Sequence, residues 1–167
     1  MLQSNSSVEA HFPIAFAQIV YRDYLQVERQ TALYLQKQNH FCFTLDTKAS
    51  PVFKKRIHQL ASCYPDQIHL AEREWDVRSS GKNQSRAYLQ CLRRLEPYEW
   101  RYVVQLQNHD VPLRTNAELV EVFRIMNGTN DVGADEPVNH RSSMPGNYSF
   151  GHLNLFKWVG GGVYGLL

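Results

Sequence analysis

The chain alternates short apolar runs with amphipathic stretches, and this rhythm narrows its fold more than any other feature. Ile14 to Val20 (IAFAQIV), Phe41 to Leu45 (FCFTL), Ile68 to Ala71 and Tyr102 to Leu106 (YVVQL) are too short for helices. Their near-continuous apolarity is that of strands buried on both faces. Between them the period changes. Asp23 to Gln38 reads as a helix with Asp23 as its N-cap. Pro51 suits a first helical turn, and Phe53, Ile57, Leu60 and Ala61 then recur on one stripe. Ala87, Tyr88, Cys91, Leu92 and Leu95 form another stripe. Thr115-Asn116-Ala117-Glu118 fits a capping box. The helix it opens carries Leu119, Val122, Phe123 and Met126 on one face and ends at Asn127-Gly128. Residues 73 to 83 are polar, contain Gly81 and read as a loop.

Strands and helices alternating over short links imply an α/β fold, a mostly parallel sheet with helices on both faces and right-handed crossovers. Ligands of such sheets bind beyond the carboxyl ends of the strands. Three places qualify: Val20-Tyr21-Arg22, Asp46-Thr47-Lys48 and Asn108-His109-Asp110. From Gly133 onward the rhythm breaks, so the fold is expected to be incomplete at the C-terminus.

Each strand end admits a plain reading beside a chemical one. Asp46 can accept hydrogen bonds from a ribose hydroxyl or a base N–H, or cap its own loop. Lys48 can offset phosphate charge or be an ordinary surface lysine. Asn108-His109-Asp110 fits a turn, a polar wall facing a sugar, or two ligands of a divalent ion. Lys54-Lys55-Arg56 reads as a solvated helix face rather than its alternative, a phosphate-binding patch. Glycine-rich dinucleotide and phosphate loops, serine elbows and zinc-protease motifs do not occur, which leaves hydride transfer, nucleotide hydrolysis and those hydrolases without support.

Composition bounds the rest. The 167 residues, 43% hydrophobic, suffice for one domain with a real core. The net charge of +2 is scattered, without the basic stripe of a nucleic-acid binder. No apolar run is long enough to span a membrane, and no signal peptide is visible at the start. Two features nevertheless suit a secretory setting. Four Asn-x-Ser/Thr acceptors occur, at Asn5, Asn83, Asn127 and Asn147. The three cysteines, Cys42, Cys63 and Cys91, fit either three buried thiols or one disulfide with one thiol left over.

Further residues carry a family resemblance. Phe12-Pro13-Ile14-Ala15, Phe41-Cys42 running to Asp46-Thr47-Lys48, Ala61-Ser62-Cys63, then Cys91, Trp100, Tyr102 and finally Asp110-Val111-Pro112-Leu113-Arg114-Thr115-Asn116 follow in order. In that order they resemble the core-2/I-branching β-1,6-N-acetylglucosaminyltransferases over residues 12 to 132. Residues 150 to 157 look like a weaker continuation. The resemblance implies a GT-A-like, Rossmann-like fold and an inverting transfer of N-acetylglucosamine from UDP-N-acetylglucosamine to a glycan or glycoprotein hydroxyl. It implies no cofactor, no metal, no nucleic-acid partner, and a Golgi lumenal setting with a membrane anchor in full-length members. By position, Ile19, Val20, Tyr21, Asp46, Thr47 and Lys48 match donor-nucleotide contacts, and Ser79 or its neighbour Ser80 a further one. His109 and Asp110 fall on the acceptor side or behind the site. Cys42 and Cys91 match a family disulfide, with Cys63 left over because its counterpart lies upstream of Phe12. The domains implied are a leader at 1–11, a nucleotide-sugar-binding half at 12–132 and the start of an acceptor-side half at 133–167. The general base, a Glu in the family, is expected beyond Leu167, so the chain reads as a fragment with little activity. The other reading is a non-catalytic remnant that binds nucleotide or glycan. A distant third is a metal-dependent transferase using His109 and Asp110.

Overall fold

A computed structural model describes residues 7–130. The fold below is that of the unit ending at Gly128; a second unit begins at Thr129. The segment 133–167, Asn5 and Asn147 lie outside the described residues.

Among the described residues nine elements follow in order: α1 (Ser7–Ala10), β1 (Ile14–Val20), α2 (Tyr24–Tyr34), β2 (His40–Leu45), α3 (Pro51–Cys63), β3 (Ile68–Leu70), α4 (Gln84–Leu95), β4 (Tyr102–Leu106) and α5 (Asn116–Met126). The strands form one parallel sheet in the order β3-β2-β1-β4. The strands all run the same way but their order reverses between β1 and β4, so the carboxyl end of β1 is where a ligand is expected.

Strand alternation assigns each face. Ile14, Phe16 and Val20 of β1, with Phe41, Phe43 and Leu45 of β2, pack against Val27 and Tyr34 of α2, Phe53, Ile57 and Leu60 of α3, and Val120 of α5. Phe16 stacks on Phe41 at 4.8 Å and lies 5.3 Å from Tyr34, so Phe16→Ala would cost about 3–5 kcal/mol. On the other face Ala15, Ala17, Ile19 and Cys42 meet Ala87, Tyr88, Cys91 and Leu95 of α4. A disulfide joins Cys42 to Cys91 with Cα atoms 5.4 Å apart, and Thr44 Oγ1 donates to Ala87 O at 3.0 Å. Cys63 is free and exposed.

The amino end of the sheet is closed by a satisfied polar network. Asn39, fully buried between α2 and β2, accepts from Ile14 N at 2.9 Å. Its amide donates to Tyr34 O at 3.0 Å and to Asn116 Oδ1 at 2.7 Å. Asn116 in turn donates to Glu9 Oε1 at 2.8 Å. α1 thus sits inside the stretch read as a leader, tied by buried Glu9 to the start of α5.

Three local expectations are corrected. Asp23 stands at the N-cap position of α2 but in the left-handed region (φ 56°), and its side chain caps nothing there. α2 ends at Tyr34, not Gln38, because Asn39 takes the terminal carbonyl and the chain must turn into β2. On α5 the inward stripe is Asn116, Leu119, Val120 and Phe123, whereas Val122 is exposed. Val122 stands about 200° around the helix from Val120. The capping box itself is present, with Thr115 Oγ1 accepting from Glu118 N and Glu118 from Thr115 N.

Candidate functional site

Polar residues gather where β1, β2 and β4 end. β1 pairs with β4 only as far as Gln18, opposite Leu106, and runs on unpaired on that side. The side chain of Asn108 fills the gap: its Oδ1 accepts from Tyr21 N at 2.7 Å and Arg22 N at 3.1 Å. Asn108 is buried, and its Nδ2 has no hydrogen-bond partner.

The turn holding Asn108 is fastened throughout. Gln18 Nε2 donates to Gln107 O (3.2 Å), Gln26 Nε2 to His109 O (3.4 Å) and Gln30 Nε2 to Asp110 O (2.5 Å). Gln107 N donates to the Asp110 carboxylate at 2.8 Å, so Asp110 caps its own turn. His109 Nε2 lies 2.7 Å from Asp23 Oδ2, which explains where the carboxylate of Asp23 goes instead of capping α2. His109 and Asp110 are therefore engaged with different partners. Among the described residues no three His, Cys, Asp or Glu side chains gather as a metal cluster.

At the end of β2 Asp46 caps its own loop. Its Oδ1 accepts from Lys48 N at 2.9 Å, the loop cap, and its Oδ2 lies 3.3 Å from Lys48 Nζ. The Asp46 carboxylate is buried, whereas the Lys48 side chain is half exposed. Lys48 also donates to Val77 O and lies 6.0 Å from the Tyr21 ring; the Arg22 guanidinium lies 5.2 Å from the same ring. An open cleft of about 510 Å³ runs between the ends of β1 and β2, with Tyr21, Arg22, Asp23, Lys48, Ser50 and Arg56 on its walls. Asp46 is not among the residues that line it. Burial, then its bond to Glu28, raises the pKa of the neighbouring Tyr24 phenol, over which Arg56 lies at 5.5 Å.

Of the residues nominated from sequence, Tyr21 and Lys48 line this cleft. Ile19 and Val20 have buried side chains directed into the two cores and can offer only backbone. Thr47 is exposed beside them, its N–H donating to Trp75 O at 3.1 Å. Ser79 and Ser80 are exposed in the turn that Gly81 N closes on Arg78 O, and neither lines the cleft. Asn83 is half-buried and donates to Asp76 O; Asn127 is exposed.

Sequence reasoning missed three contributors. Arg56 reaches the cleft, although Lys54 beside it pairs with Glu74 at 2.6 Å and Lys55 is exposed. Trp75 bridges to Asp46 and so lengthens the sheet within the expected loop. The glutamines of β1 and α2 fasten the β4 turn. A run of Gln at positions 18, 26 and 30, on elements otherwise apolar inward, was the available signal.

Comparison with known proteins places this arrangement. Residues 14–156 match the core-2/I-branching enzyme family profile. A human N-acetyllactosaminide β-1,6-N-acetylglucosaminyl-transferase is 34% identical over 137 residues, 81% of this chain and 34% of the relative. A mouse β-1,3-galactosyl-O-glycosyl-glycoprotein β-1,6-N-acetylglucosaminyltransferase 3 is 30% identical over 140 residues, 83% of this chain and 32% of the relative. A zebrafish β-1,3-galactosyl-O-glycosyl-glycoprotein β-1,6-N-acetylglucosaminyltransferase 4 is 33% identical over 131 residues, 77% of this chain and 30% of the relative. The chain thus spans about a third of the length of the curated relatives it matches.

Proposed function

Since the chain belongs to the core-2/I-branching enzyme family, we propose that it supplies the nucleotide-sugar side of a transferase that moves N-acetylglucosamine from UDP-N-acetylglucosamine to a glycan hydroxyl with inversion. The observation that carries this reading is the cleft at the carboxyl ends of β1 and β2, where the Tyr21 ring stands beside Arg22 and Lys48, and Arg56 lies over Tyr24 on the same wall. Such a place suits a nucleoside diphosphate. Tyr21 offers the base a stacking face. Lys48, held in place by buried Asp46, and Arg22 and Arg56 oppose the charge of the diphosphate.

Basic side chains, without a divalent ion, stabilise the leaving diphosphate. Deprotonation of the acceptor falls to a carboxylate within reach of that hydroxyl, which is none of the described residues named above. The Cys42–Cys91 disulfide fits an oxidising secretory compartment such as the Golgi lumen. No described helix is long and apolar enough to cross a membrane.

Calorimetric titration with UDP, ADP and GDP tests the donor assignment. Saturable binding of UDP in preference to the purine nucleotides supports it, and equal binding of all three overturns it. Transfer assays on the whole protein with radiolabelled UDP-N-acetylglucosamine, with and without chelator, test the rest. Transfer abolished by chelator would overturn the metal-free step.

A further inference from the structure

Resting on the donor reading above, we propose that Asn108 is a positioning residue for the nucleotide: its side-chain oxygen stands in for the missing β4 backbone and fixes the β1–α2 turn that presents Tyr21 and Arg22.

Backbone N–H groups near a strand end need a partner once the neighbouring strand stops. Here β4 pairs with β1 only as far as Gln18. Asn108 supplies one acceptor to two successive amides, those of Tyr21 and Arg22. The position of that acceptor is itself fixed. Carbonyls of Gln107, His109 and Asp110 each receive a glutamine amide from β1 or α2, and His109 meets Asp23 on the residue after Arg22. The β4 turn and the β1–α2 turn are thus bound together on both sides of Asn108.

The orientation of the Asn108 amide follows from its partners. Two N–H donors converge on one atom, so that atom is the oxygen. The nitrogen is then left buried with no partner. A buried amide N–H is costly to leave unpaired. The position therefore keeps an acceptor toward Tyr21 and Arg22 at the expense of an unmade bond on its other atom. The backbone strain at Asp23, a left-handed residue at the same turn, has the same location. Both costs fall beside the cleft. The buried Asn39 at the opposite end of the sheet has its oxygen and its nitrogen fully engaged.

The test compares Asn108→Leu, which keeps the shape and removes the acceptor, with Asn108→Asp, which keeps the acceptor, and with Asn39→Leu as the purely structural control, all in the full chain. Amide hydrogen exchange and UDP titration are read on each. In Asn108→Leu, exchange at Tyr21 and Arg22 accelerates roughly 10- to 100-fold while the β1 amides before Gln18 keep their protection. UDP then binds at least about tenfold more weakly, because the turn must be ordered on binding. Asn108→Asp restores the protection of both amides, and its affinity for uridine, which carries no phosphate, equals that of the wild type. Asn39→Leu loses stability yet leaves the UDP affinity of the folded fraction unchanged. Wild-type UDP affinity in Asn108→Leu, or an equal loss in Asn39→Leu, overturns the positioning role. Absence of UDP binding by the wild type sinks the donor reading and this role with it, whereas the exchange data still report whether the two amides are clamped.

Discussion

The two ends of β1 are each closed by a buried asparagine, and the two closures differ in one respect. At the amino end Asn39 bonds through both oxygen and nitrogen, and the network continues through Asn116 to Glu9. At the carboxyl end Asn108 bonds through oxygen alone, beside a left-handed Asp23 and an open, charged cleft. A fully satisfied buried network stabilises and specifies a fold. At the carboxyl end one unmade bond, a left-handed Asp23 and the cations of the cleft stand together. On the proposed reading, the closed network and the nucleotide cleft lie at opposite ends of the same strand.

Asn39→Leu strands Ile14 N, Tyr34 O and Asn116 Oδ1 in the core and should cost about 3–5 kcal/mol in urea unfolding. A cost under about 1 kcal/mol would remove the contrast between the two ends. Cys91→Ser opens a link spanning 49 residues and should lower stability by about 2–4 kcal/mol, with UDP affinity of the folded protein unchanged.

The next prediction concerns pH. His69 stacks on Tyr98 at 4.4 Å and touches His40 through ring nitrogens 3.4 Å apart. Burial first, then the neighbouring His40 and Arg94, push its pKa down to about 4. A histidine pKa lowered by folding means that the unfolded chain binds the extra proton. Stability is therefore complete above about pH 6.5 and falls as pH drops toward 4, by roughly 2–3 kcal/mol. Burial shifts His40 in the same direction. Urea midpoints between pH 7 and 4.5 read this, and His69→Phe should flatten the curve. A slope unchanged in that variant would refute the assignment.

The smallest expected effect lies at the cleft. Lys48→Ala should change stability by less than about 1 kcal/mol, since the Lys48 side chain is half exposed and buried Asp46 keeps its bond from the backbone N–H of residue 48. It should weaken UDP binding about five- to tenfold. Unaltered affinity would mean that Lys48 is an ordinary surface lysine.

The strands and their faces were legible because strand alternation is local: Ile14, Phe16 and Val20 against Ala15, Ala17 and Ile19 already divide the two cores. Pro51 and the Thr115 capping box fixed two helix starts for the same reason. The site was legible only as a set of strand ends. Which atoms face the cleft depends on partners far away in the chain. Asp23 looks like a helix cap until His109, 86 residues on, claims its carboxylate. Arg56 looks like its lysine neighbours until Glu74 takes Lys54 and leaves the arginine over Tyr24. The α5 stripe failed for a related reason, since hydrophobicity favours Val122 as strongly as Val120 and only the position of Asn116 over Asn39 sets the rotation.

Amide chemical-shift mapping of the full chain during a UDP titration tests most directly whether a uridine nucleotide binds at the carboxyl end of the sheet. Saturable shifts are expected at Tyr21, Arg22, Lys48 and Arg56, with Ile14, Asn39 and Asn116 unmoved. Shifts centred on the amino end of the sheet, or none at millimolar UDP, would contradict it.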